Sequence, residues 1–185
     1  MLIKIMLLLA DVFAIVCLAR LGMQWGHLPH AHPLARFCGQ TTDWLVVPLR
    51  KIVPPLKRWD GACVLAPILV YYLLFTIILL FALPERIGAK AMAANAFFTL
   101  LYFAKAVAYV LLCGLVLRMV LSFTKPYSEL LSVLHRIFMP LTQMFSFLKV
   151  GRYDFSGSVL ALLLWFFISR FLPAWVSQLN LWLLR

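Results

Sequence analysis

The sequence predicts an all-α membrane protein with four transmembrane helices, arranged as two parallel span–amphipathic connector–span repeats. Three observations lead to this prediction. Of the 185 residues, 65% are hydrophobic, whereas soluble domains average about 45–50%. Four apolar segments approach or reach the roughly 20 residues that cross about 30 Å of hydrocarbon. Landmarks of the first half of the chain return in the second half.

Four segments are predicted as spans, at about 2–22, 63–83, 93–121 and 157–172 or longer. The first could instead be a signal peptide, but Asp11 interrupts it and no small-residue cleavage site precedes Arg20. The second carries no charge, and the third is broken only by Lys105 and Arg118. The fourth has a tail that follows Pro173.

The distribution of Lys and Arg predicts the orientation of the chain. Nine of these residues lie in the two long connectors, against four on the other side of the predicted membrane. Positive charge favours the cytoplasmic side. We therefore expect a multi-pass protein of the bacterial inner (plasma) membrane, with cytoplasmic connectors and both termini outside.

Both long connectors have amphipathic character. The segment PYSELLSVLHRIFMP has helical apolar spacing, with Pro126 in its first turn and Pro140 expected to end it. Residues 33–47 play the same part before Pro48. Such helices lie in the membrane interface. The basic residues expected to face anionic lipid are Arg36, Arg50, Lys51, Lys57, Arg58, Arg136, Lys149 and Arg152. These charges could equally serve only to enforce topology.

The predicted repeats are residues 1–90, with a connector at 24–60, and residues 91–185, with a connector at 122–156. Three pairs of residues mark them: Arg20 and Arg118, Pro48 and Pro140, and Asp60 and Asp154. The offset is 98 residues for the arginines and 92 to 94 for the later pairs. Because spans one and three run in the same direction, the repeat is parallel.

Two motifs resemble those of the YggT family (YlmG-like), namely TDWLVVPLRKIVP at 42–54 and YDFS at 153–156. Trp44 stands where that family usually has proline, and residues 141–146 lack its arginine pair. The residues that match the family pattern are Thr42, Pro48, Leu49, Arg50, Lys51, Pro54, Asp60, Pro140, Asp154 and Ser156.

The resemblance implies a four-span inner-membrane protein without known enzymatic chemistry. It also implies a connection to osmotic or cation homeostasis, to cell division and nucleoid placement, or to maturation of a b-type cytochrome. Residue spacing indicates none of these roles.

Asp11, Lys105 and Arg170 are charges placed inside the predicted spans. An unpaired charge there costs from about 3 to more than 10 kcal/mol. Counted from the inner ends of their spans, Asp11 and Lys105 differ in depth by only about 6 Å. They could form a structural ion pair or line an ion pathway. Arg170 is expected near the outer interface.

The sequence indicates no enzyme, cofactor, metal site or nucleic-acid partner. It contains none of the common nucleophile, zinc or phosphate-loop motifs. The spacing of His27, His30 and His32 with Cys38 suits no standard metal site. Asp60 and Asp154, the latter with Ser156, can instead cap the spans that follow them.

Two classes of function follow from these observations. The first is a non-enzymatic scaffold whose basic connectors bind anionic lipid and envelope or division proteins, with homo-oligomers also conceivable. The second is a small channel or transporter in osmotic or cation homeostasis. An assembly factor for a membrane cytochrome is a third alternative.

Overall fold

A computed structural model describes residues 2–29, 32–54, 60–82, 89–124, 127–143, 149–150, 153–154 and 156–184. Five helices precede a short hairpin and a last, long helix that contains a π-helical turn. In chain order the elements are α1 Leu2–Trp25, α2 Pro33–Arg50, α3 Gly61–Ala82, α4 Ala89–Thr124, α5 Glu129–Gln143, β1 Lys149–Val150, β2 Tyr153–Asp154, α6 Ser156–Phe166, the π turn Phe167–Phe171 and α7 Leu172–Leu184.

Four helical segments are long and apolar enough to cross a membrane: α1, α3, α4 and the continuous helix formed by α6, the π turn and α7. In each, at most 22% of the most apolar stretch is buried inside the protein. Most of these apolar side chains therefore face outward, where lipid would be their solvent. The predicted four-span helical membrane fold is confirmed, and the arrangement as two repeats stays a prediction.

Helices α1, α3 and α4 pack together as the centre of the protein. Small side chains at Ala10, Ala14 and Ala106 are almost fully buried there, beside Tyr71. Without a hydrophobic driving force between helices in lipid, small residues favour association because they let backbones approach closely.

The two connectors form helices that are packed onto the spans. Helix α2 rests on α1 and α3 through Val46 and Leu49. Helix α5 rests on α4 and α6 through Leu134 and Phe138. Each connector therefore packs mainly against its own half of the chain, and α5 also contacts α1.

The expectation that Pro140 ends the second connector helix is wrong, and Pro48 likewise lies within α2. Helix α2 continues to Arg50 and α5 continues to Gln143. A proline removes one N–H and crowds the carbonyl four residues earlier. Both prolines lie in the last turn on an exposed side of the helix, so the packed face opposite them holds the helix together.

The fourth span continues through Pro173 to Leu184. Just before this proline, the N–H of Leu172 bonds to the carbonyl of Phe167, one residue beyond the α-helical spacing. Such single π turns occur inside α-helices where the regular bonding pattern is disturbed. The missing N–H of Pro173 provides that disturbance. Arg170 lies on the π turn and is exposed.

Two glycines allow α5 to approach the spans closely. A Cβ at Gly26 would lie 2.4 Å from a methyl group of Val133. A Cβ at Gly114 would lie 2.6 Å from the ring of Phe138. Both distances are far below van der Waals contact, so the turn after α1 and helix α4 need glycine at these positions to accommodate α5.

Gly114→Ala is expected to destabilise the protein by about 1–3 kcal/mol, because overpacking forces neighbouring side chains and backbone to shift. Thermal unfolding in detergent, followed by circular dichroism, measures the change. Gly22→Ala is the matched control, since a Cβ there meets nothing within 4 Å. The control should gain up to about 1 kcal/mol from helix propensity. Equal stability of the two variants would contradict the close approach of α5.

Candidate functional site: internal ion pairs and basic surfaces

Asp11, Lys105 and Tyr71 meet at the centre of the three packed spans. Lys105 Nζ donates to Asp11 Oδ2 at 2.6 Å. The Tyr71 hydroxyl donates to Asp11 Oδ1 at 2.7 Å. The structure therefore brings together the two charges that were expected to be able to pair. It adds a third partner from the span that carries no charge.

Aromatic rings and further polar groups surround this centre. Lys105 Nζ lies 4.8 Å from the ring centroid of Tyr102, which is within the range of a cation–π interaction. Ten residues before Lys105 on α4, Asn95 Nδ2 donates to Thr76 Oγ1 of α3 at 2.8 Å. With Lys105 and Asp11 neutralising each other, the arrangement is that of a structural pair between α1 and α4.

Thr42, a residue of the family motif, joins α2 to α1. Its side chain is fully buried and its Oγ1 donates to the carbonyl of Cys38 at 2.7 Å. Arg20 Nη1 donates to Thr42 Oγ1 and to Asp43 Oδ1, both at 2.7 Å. Burial raises the pKa of the nearby Cys38 thiol, which therefore stays protonated. The threonine of the motif thus has a packing role.

Arg50 and Asp60, also motif residues, form an ion pair between the end of α2 and the start of α3. Arg50 Nε donates to Asp60 Oδ2 at 3.0 Å, and Nη2 donates to the same oxygen. Asp60 is only 4% exposed. The expected side-chain cap of α3 is thus replaced by a bond to Arg50, while the backbone carbonyl of Asp60 accepts from the N–H of Cys63 at 3.0 Å.

The pKa values of this pair reflect the contact. Burial alone would raise the pKa of Asp60, but the hydrogen bonds and charge of Arg50 bring it below its ordinary value. The same hydrogen bond raises the pKa of Arg50. Arg50, expected to face anionic lipid, therefore directs its charge inward to a protein carboxylate.

A similar contact joins α4 to α5. Arg118 Nη2 lies 3.1 Å from His135 Nδ1. Because a guanidinium only donates, Nδ1 must accept and the imidazole must be neutral. The other terminal nitrogen, Nη1, is buried and has no hydrogen-bond partner among the described residues. Sequence reasoning missed His135 in this role, because helical apolar spacing does not indicate which polar side chain of α5 meets a span.

The remaining predicted residues have separate positions. Arg36, Lys51 and Arg136 are exposed on or beside α2 and α5, as a lipid-facing role requires. Pro54 is exposed and Leu49 is buried. Lys149 and Asp154 lie on the paired strands, and Ser156 begins α6. Lys57, Arg58, Arg152 and Pro126 lie outside the described residues.

An apolar cavity of about 580 Å³ lies between the two halves of the chain. Helices α1, α2, α4 and α5 all contribute to its walls, among them Ala19, Leu34, Gly114 and Leu134. Its lining contains no charged residue. Within the described part of the chain, no three His, Cys, Asp or Glu residues are grouped as a metal site would require.

The fold and these contacts define a class: a multi-pass α-helical membrane protein held by ion pairs between its spans and connector helices. Residues 1–82 match the model of the family described as CCB3/YggT. Uncharacterized protein YggT of Escherichia coli strain K12 is 27% identical over 63 residues, which cover 34% of each chain. The corresponding proteins of strains O6:H1 and O157:H7 match equally. No solved structure matches significantly.

The match over residues 1–82, which contain α1, α2 and α3, supports the predicted resemblance to the YggT family. The chain aligns with about a third of the length of the curated relatives. Those relatives are themselves named uncharacterized. Their names therefore supply no activity to transfer to this chain.

Proposed function

We propose that the protein is a non-enzymatic scaffold of the bacterial inner membrane. Its connector helices would lie at the cytoplasmic leaflet and bind anionic lipid and proteins of the envelope or division machinery. The observation that carries the proposal is that α2 and α5 are both packed helices with exposed basic residues on the side away from the spans.

The packing of the connectors supports display of a surface. Helix α2 is attached to α1 by Arg20 with Thr42 and Asp43, and to α3 by Arg50 with Asp60. These contacts fix the helix in place, so its exposed residues have a defined arrangement. Each Lys or Arg near an anionic membrane surface contributes about 1 kcal/mol of attraction. Arg36, Lys51 and Arg136 are the described residues placed for it.

A channel receives less support from the same geometry. The main polar contacts between α1, α3 and α4 are made within the protein: Lys105 and Tyr71 bond to Asp11, and Asn95 bonds to Thr76. The large cavity is lined by apolar residues. An ion path needs exposed polar groups along its length, and paired charges at one depth favour a structural role.

The lipid contact is tested by counting lipids in native nanodiscs extracted from membranes of mixed composition. Replacing Arg36, Lys51 and Arg136 together by Gln is expected to reduce the enrichment of anionic lipid around the protein. The matched control replaces Lys4, Lys90 and Arg170, which are exposed basic residues away from the connectors. A loss of enrichment in the control variant alone would reject the proposed surface and orientation.

Ion flux through purified protein in anionic liposomes distinguishes the scaffold from the channel. We expect no flux above that of empty liposomes, in the wild type and in Asp11→Asn alike. Incorporation is checked by density flotation. Flux in the wild type that Asp11→Asn abolishes would overturn the scaffold proposal and assign the central ion pair to a conduction path.

A further inference from the structure

We propose that the apolar cavity between the two halves holds an acyl chain of one anionic phospholipid, whose phosphate binds Arg118. The inference deepens the lipid contact of the proposed function and rests on it for the side of the membrane. It concerns one defined site, however, and not the general attraction of the leaflet to basic residues.

The cavity suits an acyl chain in size and chemistry. Its volume of about 580 Å³ falls within the roughly 300–1,000 Å³ of small-molecule sites. The walls come mainly from α1, α2, α4 and α5, with Val64 of α3, and contain apolar side chains, glycines and two cysteines. The transfer of a CH₂ group into such a site is favourable from water, but contributes little when the group comes from a bilayer. Occupancy therefore requires a polar contact at the cavity rim.

Arg118 provides that contact. It follows Leu117 and lies one helical turn beyond Gly114, and both of these residues line the cavity. Its contact His135 follows Leu134, which also lines the cavity. Arg118 and His135 do not themselves line the cavity, but both are chain neighbours of residues that do. A buried donor without a partner is unfavourable, and more so when it is charged, so the buried Nη1 of Arg118 requires an acceptor.

A comparison of the two halves indicates that this acceptor is an anion. In the first half, Arg20 of α1 binds the carboxylate of Asp43 on α2. The 92-residue offset that relates Pro48 to Pro140 also relates Asp43 to His135. Arg118 of α4 makes the corresponding contact to α5, but with a neutral imidazole in place of the carboxylate.

Arg118 thus has no acidic partner among the described residues. A phosphate supplies two oxygens that the guanidinium can bind together. A glycerophospholipid combines this phosphate with a chain for the adjoining cavity. Free phosphate would leave the cavity unused, whereas a lipid satisfies both features at once.

The site is tested by native mass spectrometry of delipidated full-length protein in detergent. Phosphatidylglycerol or phosphatidylcholine with identical chains is added. We expect one phosphatidylglycerol to remain bound, with at least a tenfold preference over phosphatidylcholine. His135→Asp should remove this preference, because it restores to α5 the carboxylate that Asp43 provides on α2. It should not lower the melting temperature, since it gives Arg118 a counter-ion.

Further variants separate the two parts of the site. Cys113→Trp, which adds bulk to the cavity wall, should weaken retention of both lipids, whereas Arg118→Lys should retain part of the preference. Lys90→Gln, a change at an exposed basic residue away from the connectors, is the matched control and should leave retention of both lipids unchanged. Equal retention of both lipids by the wild type would overturn the proposal. Full displacement of the lipid by inorganic phosphate would also overturn it, because it would indicate that Arg118 binds a bare anion. A dimer that Cys113→Trp abolishes would overturn it as well, because it would indicate that a second copy of the chain fills the cavity.

The outcome is also separable from that of the scaffold proposal. If the triple connector variant shows unchanged enrichment of anionic lipid while the wild type retains one phosphatidylglycerol, the basic surface is rejected and the site remains supported. If anionic lipid is still enriched around the protein but no phosphatidylglycerol is retained in detergent, the site is rejected and the basic surface remains supported.

Discussion

Asp11→Asn should lower the free energy of unfolding by about 3–5 kcal/mol, the usual cost of removing one partner from a buried ion pair. Asn retains an oxygen for the Tyr71 hydroxyl, which donates to Asp11 at 2.7 Å. The loss therefore falls on Lys105, whose ammonium would remain between the spans without the carboxylate now 2.6 Å away. Unfolding in mixed micelles with increasing dodecyl sulfate measures the difference.

A double-mutant cycle identifies the pair as the cause. Lys105→Met alone should also destabilise, since it leaves Asp11 charged and unpaired by lysine. The double variant should recover much of the loss, because no uncompensated charge then remains between α1 and α4. Arg170→Met serves as the control, since Arg170 is exposed. Strict additivity of the two single changes would show that the contact contributes no coupling.

Arg50→Gln is expected to cost a similar amount, about 3–5 kcal/mol, because it strips the counter-ion from a carboxylate that is only 4% exposed. Arg50→Lys should recover only part of the loss. The arginine reaches one oxygen of Asp60 through both Nε and Nη2, and a lysine has no such fork. Lys51→Gln, next along the chain and exposed, is the matched control.

The same pair predicts how the effect depends on pH. Asp60 has a lowered pKa in the folded protein, so its stabilisation is present above the unfolded value of about 3.9. The stabilisation is lost as the pH falls through the folded value. In Arg50→Gln, burial would instead raise that pKa, and protonation would relieve the variant. The difference in free energy of unfolding between wild type and variant should therefore narrow as the pH falls through the raised pKa of the variant and on below about 3.9. A difference that does not change with pH would contradict the assignment.

The central ion pair shows which part of the candidate site could be predicted from the sequence. A charge within an apolar span is rare, and the rise of a helix is constant, so residue counting alone placed Asp11 and Lys105 at similar depths. The contact of Tyr71 with Asp11 could not be predicted in this way. Tyr71 lies in a span without charges, and the direction of a side chain around a helix axis depends on how the helices pack.

The proline positions show the opposite case. Local propensity suggested that Pro140 ends its helix, yet the buried face formed by Leu134 and Phe138 holds α5 together to Gln143. Likewise, the motif residues Arg50 and Asp60 were given separate roles as a lipid contact and a helix cap. Ten residues apart along the chain, they meet because α2 folds back onto α3.

By itself the sequence determined the class of this protein, its four spans and its resemblance to a known family. Those properties follow from composition, from hydrophobic length and from motifs, all of which are local to the chain. Only the tertiary structure decided which charge meets which, that Arg118 faces a histidine, and that an apolar cavity lies beside it. These depend on the rotation and contact of helices far apart in sequence, and no local pattern records that geometry.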